Sequence, residues 1–188
     1  MLTNADALNR VVRFLNQHNI PYMLIGGVAN AMWGQVRATR DADFKVSLGD
    51  RSIAEFRQLV GQQFSHRPTM APPQLQPPHI IHVWATTGVA VDFFVSVFDY
   101  ELRAIAHAAD AVIEDVPIRI CTAEDLIVHK AIANRAQDWI DIEGVLIRQR
   151  AKLDQAYILN WLRQFAEALE TPDIVTRYEQ LRAKYRTV

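Results

Sequence analysis

The order of apolar and polar positions divides the chain into two regimes. The opening stretch TNADALNRVVRFLNQHN places Leu8, Val11, Val12 and Leu15 at helical intervals, with Thr3 and Asp6 arranged as a capping box and Pro21 as a stop. YMLIGG then reads as a short buried strand running into a glycine turn, and VANAMWGQ as a short helix closed by Gly34. ADFKVSL alternates in the manner of a strand, and Gly49 and Asp50 break it. RSIAEFRQLVGQQF is helical, with Ile53, Phe56, Leu59 and Val60 on one side. RPTMAPPQLQPP is a loop, because proline denies the backbone its donors. HIIHVWATTGVAVDFFVSVF predicts two apolar strands paired around TTG, and AVIEDVPIRICT adds a short strand or a second hairpin. From Thr122 the pattern is helical to the end, in AEDLIVHKAIANR, DWIDIEGVLIRQR, DQAYILNWLRQFAEAL and PDIVTRYEQLRAKY.

These elements imply an α/β (α+β) fold: a mixed sheet in residues 1–121, followed by a C-terminal helical portion, residues 122–188, packed on that core. The hairpin requires antiparallel pairing and excludes a purely parallel sheet. Ile158, Leu159, Leu162, Phe165 and Leu169 form a helical apolar stripe that has to be buried. The expectation is that this tail packs on the α/β part and walls an acceptor cleft facing Asp41 and Asp43.

Composition narrows the function classes. The chain has 188 residues, half of them hydrophobic, with 20 basic and 21 acidic residues and a net charge of -1. That balance excludes global steering toward nucleic acid or membrane. Arginine dominates the cations, which suits bidentate phosphate contacts. The single Cys121 excludes an internal disulfide and reads as a small buried residue. With no apolar signal core or spanning run in the sequence, a cytoplasmic, membrane-free protein is expected.

The candidate chemistry lies in GGVANAMWGQVRATRDADFKV. Strand alternation points Asp41, Asp43 and Lys45 the same way. Two carboxylates held close repel unless a cation sits between them, and hard divalent cations such as Mg²⁺ take such oxygens. Asp92 is a lone charge within the apolar VAVDFFV, and a buried carboxylate is normally paired or metal-bound. If the 89–95 strand lies beside the 42–48 strand, Asp92 joins Asp41 and Asp43. The competing reading pairs Asp92 with an arginine. Gly26 and Gly27 follow a buried strand and open a helix, whose N–H groups attract phosphate; a packing turn is the plainer alternative. Arg37, Thr39 and Arg40 precede the acids, in reach of phosphate oxygens or of the carboxylates. The six histidines show no ligand spacing, and Trp33, Trp84, Trp139 and Trp161 read as core or helix-packing residues.

GGVANAMWGQVRATRDADF resembles the signature of the nucleotidyltransferase superfamily, the DNA polymerase beta-like fold: GG or GS, a short helix, then D-x-D, with VDFF matching the third carboxylate. AEDLIVHKAIANRAQDWIDIEGVL resembles the AbiE-type toxin branch, with GG standing where GS is the other form of the first motif. The resemblance covers roughly Ile20 to Leu146. It implies Asp41, Asp43 and Asp92 as catalytic metal ligands and Gly26 and Gly27 as the triphosphate grip. It also implies phosphate contacts from Lys130, with Asp138 or Asp141 as a fourth motif. On a continuous helix Lys130 and Asp141 would share a face, about 20° apart. The alternative is an exposed salt-bridge face of Lys130, Asn134, Asp138 and Asp141. The implied cofactors are Mg²⁺, as a pair of ions, and an NTP co-substrate. The implied acceptor is tRNA or protein, with a cognate antitoxin as partner. A small-molecule acceptor, as in the aminoglycoside and lincosamide nucleotidyltransferases, and a catalytically silent nucleotide-binding or partner-binding member are the other two readings.

Overall fold

In the computed structural model, residues 5–39, 41–69 and 77–185 are described. Contacts divide the chain into two units. One comprises the chain up to Val28 together with Ala38–Cys121; the other comprises Ala29–Arg37 and the chain from Thr122 on.

The first unit is built on a mixed sheet that, among the described residues, has seven strands in the order β3-β4-β5-β2-β1-β7-β6. The strands are β1 (Tyr22–Ile25), β2 (Asp41–Val46), β3 (Ser65–His66), β4 (Ile80–Thr86), β5 (Val89–Val95), β6 (Ala109–Ile113) and β7 (Val116–Ile120). β4 and β5 form the expected hairpin. The stretch read as one strand or a second hairpin is the β6–β7 hairpin, turned at Glu114 and Asp115, both with positive φ. β2 pairs with β1 antiparallel and with β5 in parallel, so the sheet is mixed, as expected.

One sheet face is apolar. Ala42, Phe44 and Val46 alternate with Asp41, Asp43 and Lys45 along β2, and the first three are wholly buried. Phe44 and Phe93 meet Phe14 of α1 (Ala5–Gln17), Phe56 of α3 (Ile53–Gln63), and Phe64 in a continuous aromatic cluster. Each buried phenylalanine contributes roughly 1.5–3 kcal/mol. This cluster fixes the register that presents the acidic residues on the opposite face. The capping box expected at α1 includes Thr3, which lies outside the described residues. The box that is seen caps α3, where Ser52 and Glu55 exchange hydrogen bonds. Two elements escaped the periodicity reading: the short edge strand β3 and the eight-residue α4 (Asp99–Ala106), which buries Tyr100, Ala104 and Ile105. Most of the proline-rich loop, residues 70–76, lies outside the described residues.

The second unit is helical: the latter part of α2 (Gly26–Trp33), then α5 (Ala123–Ala133), α6 (Ala136–Gln149), α7 (Gln155–Ala168) and α8 (Asp173–Ala183). α5 and α6 are separate helices. Asn134 takes a left-handed conformation at the end of α5 and turns the chain back, so the continuous helix considered for Lys130 and Asp141 does not form. The stripe on α7 is buried at Ile158 and Leu162, while Leu169 is exposed. Trp139 is buried as expected, but Trp84 stands 38% exposed on β4. Cys121 is fully buried. Among the described residues, no helix is long and apolar enough to cross a membrane.

Candidate functional site

Side-chain alternation and strand pairing together assemble the acidic site. Asp43 faces Asp92 across the parallel β2–β5 pair, and Asp92 faces His82 across the antiparallel β4–β5 pair. Asp41 lies one pleat along on the same side of β2 as Asp43. Asp41, Asp43 and Asp92 each offer a ligand oxygen, and these oxygens lie within 4.8 Å of one another. Three carboxylates at that spacing repel in the absence of a cation, and their oxygens are the hard donors that Mg²⁺-like ions take.

The glycine turn abuts this cluster. Ile25, the last residue of β1, pairs with Asp43, so Gly26 emerges beside that carboxylate. Gly26 has φ +69, and a Cβ built on it would stand 1.9 Å from Asp43 Oδ2. Only glycine tolerates both the backbone and the approach. A Cβ on Gly27 would stand 2.6 Å from Thr39 Oγ1, so the space for a side chain there is already filled by a hydroxyl-bearing one. Thr39 Oγ1 donates to Asp41 Oδ1 at 3.1 Å. Arg40 lies outside the described residues.

Two residues of the acidic face were not singled out from the sequence. Arg67 pairs with Asp92 through Nη2, and His82 Nδ1 lies 2.8 Å from the same carboxylate oxygen. The arginine pairing weighed as the alternative for Asp92 is therefore present alongside the acidic cluster, rather than instead of it. The signal that could have found His82 is its phase: given the β4–β5 hairpin, an inward histidine opposite Asp92 follows from the turn. Arg67 had no such signal, because β3 is too short to show a period.

The remaining candidates belong to the helical unit. Lys130 is buried, with its ammonium 2.5 Å from Asp141 Oδ2 and 3.4 Å from Asp138 Oδ1. Arg37 grips Asp141 with Nε at 3.0 Å and Nη2 at 3.1 Å. Asn30 and Gln137 also donate to Asp141, and Arg135 Nε reaches Asp138 at 2.6 Å. Burial would raise the Asp141 pKa, but hydrogen bonds from Arg37 and Lys130 outweigh it and hold the carboxyl below its ordinary value. The salt-bridge alternative foresaw an exposed face; Asp138 and Asp141 are 2% exposed. Lys130 meets Asp138 and Asp141 because α6 folds back on α5, not because one helix carries them, and the Asn134 side chain accepts from Trp139 Nε1 at 2.7 Å.

Comparison with known proteins agrees with this layout. No curated protein matches the sequence. Solved structures share the fold, and two of them are similar over most of their length. An antigenic nucleotidyltransferase-like protein from Paracoccidioides brasiliensis is 16% identical, with a TM-score of 0.50, over 95% of this chain and 94% of that one. A lincosamide antibiotic adenylyltransferase, LnuA, in its lincomycin-bound form, is 11% identical, with a TM-score of 0.51, over 77% of this chain and 98% of that one. Residues 4–179 match the family described as nucleotidyl transferase of unknown function, DUF2204, without picking out a toxin branch. With its mixed sheet, its paired glycines and three converging aspartates, and a match over nearly its whole length, the chain belongs to this nucleotidyl transferase family.

Proposed function

We propose that the protein transfers a nucleoside monophosphate from an NTP to a hydroxyl acceptor, with divalent cations held by Asp41, Asp43 and Asp92. The observation that carries this reading is the convergence of the three carboxylate oxygens within 4.8 Å beside a glycine turn that excludes any side chain. The donor set fits the group: three oxygens, no thiol or imidazole among them, as Mg²⁺ prefers. Bound there, Mg²⁺ would neutralise the phosphates and favour the ionised form of an attacking hydroxyl.

The chain's own residues supply the rest. Gly26 and Gly27 let the start of α2 present bare N–H groups to the triphosphate. Thr39 brings a hydroxyl beside Gly27, in the space where a GS motif would carry its serine. Asp92, lowest in exposure of the three, is the candidate to accept the acceptor's proton. In the helical unit Arg37 keeps its sequence-based assignment to phosphate, and there its Nε and Nη2 bond Asp141. Lys130, Asp138 and Asp141 enter the reading as the support of that arginine. Arg40 keeps only its sequence-based assignment.

For the acceptor, the resemblance to the toxin branch favours tRNA or protein, and a cognate antitoxin would accompany it. The likeness in fold to a lincosamide adenylyltransferase supports the small-molecule alternative. The test is transfer from the four α-³²P-labelled NTPs, with Mg²⁺, to total tRNA, to cell lysate protein, and to a panel of lincosamides and aminoglycosides. Label in one acceptor class, abolished by Asp43→Asn, is the expected result. No transfer to any class, with no nucleotide binding by calorimetry, would overturn the reading.

A further inference from the structure

We infer that Arg67 is the resident counter-cation of the acidic triad, and that a divalent cation must compete with it for Asp92. This inference rests on the reading of Asp41, Asp43 and Asp92 as cation ligands.

Asp92 sits mid-strand with 8% exposure, where an unpaired carboxylate is costly. Arg67 Nη2 and His82 Nδ1 both approach Oδ1 of Asp92. Arg67 is delivered there by the sheet edge. Its backbone N–H donates to the His82 carbonyl at 2.9 Å, continuing the β3–β4 ladder, and its guanidinium lies 5.9 Å from the centre of the exposed Trp84 ring. The arginine is thus held from behind by backbone and ring, and from the front by Asp92.

The grip on Asp92 is nonetheless incomplete. Among the described residues, Arg67 Nε is buried and has no hydrogen-bond partner, whereas Arg37 engages Asp141 through both Nε and Nη2. A guanidinium bound through one arm is the more replaceable of the two. A divalent ion on Asp92 and the Arg67 charge would lie within a few ångströms of each other in a partly buried setting, where like charges repel strongly. Cation binding and the Arg67–Asp92 pair therefore oppose one another, and by linkage each weakens the other equally. In this role Arg67 is a positioning residue. It keeps the three carboxylates compatible with a folded sheet before the cation arrives, and it sets how tightly the cation is held.

The experiment is Mn²⁺ binding without nucleotide, followed by the electron paramagnetic resonance signal of free Mn²⁺, on the full chain. Arg67→Gln is expected to bind Mn²⁺ roughly tenfold more tightly, because one opposing charge is gone. Arg67→Lys, which keeps the charge, should stay near the wild type. Trp84→Leu, which loosens the guanidinium without touching Asp92, should shift affinity in the same direction by less. Arg67→Gln binding equal to or weaker than wild type would overturn the inference. If Arg67→Gln fails to fold, unchanged or weaker binding by Trp84→Leu overturns it equally. Asp43→Asn separates the two levels. If it binds Mn²⁺ as the wild type does, the triad reading itself fails. If it loses Mn²⁺ while Arg67→Gln gains nothing, only the role of Arg67 fails.

Discussion

The sheet and the helices of this protein each gather aspartates, and they treat them in opposite ways. On the sheet, Asp41, Asp43 and Asp92 turn their oxygens toward one another. In the helical unit, Asp138 and Asp141 turn theirs toward Lys130, Arg37 and Arg135. The helical acids are the more buried, at 2% exposure each, and the more fully matched by donors. Burial alone therefore does not mark a functional carboxylate. What distinguishes the two groups is geometry: the helical carboxylates are ringed by cationic donors of the chain, whereas the three sheet carboxylates converge on one another, with Arg67 and His82 at Asp92.

The largest effect should come from unbalancing the helical group. Lys130→Ala leaves two buried carboxylates without their shared ammonium and should cost about 3–5 kcal/mol of stability in urea unfolding. This departs from the sequence expectation that Lys130 contacts a phosphate, under which its loss would weaken NTP binding. A variant of undiminished stability with weakened NTP affinity would reinstate that expectation and erase the contrast between the two groups.

Next in size, Asp43→Asn should reduce divalent-cation affinity by about 100-fold or more, beyond the usual cost of losing a mere supporting contact. Stability without metal should hold or rise, since one of three mutually repelling charges is removed. Calorimetric Mg²⁺–NTP titration and thermal melts measure both. A drop in metal-free stability would mean that Asp43 is itself held by the chain, as Asp92 is by Arg67.

Gly26→Ala tests the joint between turn and triad. The left-handed backbone should cost about 1–2 kcal/mol. The new Cβ would also displace the Asp43 carboxylate, whose Oδ2 lies 1.9 Å from its position. Cation affinity should fall while the far-ultraviolet dichroism stays native. Wild-type affinity in a folded Gly26→Ala protein would separate the glycine turn from the cation site.

The smallest effect is in acid. The folded-state pKa of Asp141 is depressed, so its contribution is fully present above the ordinary value of 3.8 and is lost as pH falls below it. Stability should decline in that window, and Asp141→Asn should flatten the decline. A wild type and variant with parallel pH profiles there would remove Asp141 from the balanced group.

Much of this arrangement can be read along the chain. The alternation in DADFKV puts two acids on one face, and a lone Asp in VAVDFFV can only be explained by a partner. The pairing of β2 with β5 follows from placing the hairpin beside the D-x-D strand. What could not be read was anything depending on contact without periodicity. Arg67 belongs to no pattern, because two residues of β3 carry no alternation. The enclosure of Lys130 depends on the reversal at Asn134, which the string ANRAQDW does not announce through glycine or proline. His82 leaves no mark in the spacing of the histidines, because its partner is the acid across the hairpin.

The reversal at Asn134 has a consequence for the order of folding. It closes α5 onto α6 with only Asn134 and Arg135 between them, so Lys130 meets its acids at sequence separations of 8 and 11. Loop-closure entropy is small at such separations, whereas the triad must await the pairing of strands far apart in the chain. In pulse-labelled hydrogen exchange, α5 and α6 amides should therefore gain protection before those of β2 and β5. The acidic face would be the late-forming part of a chain whose helical charges are already matched.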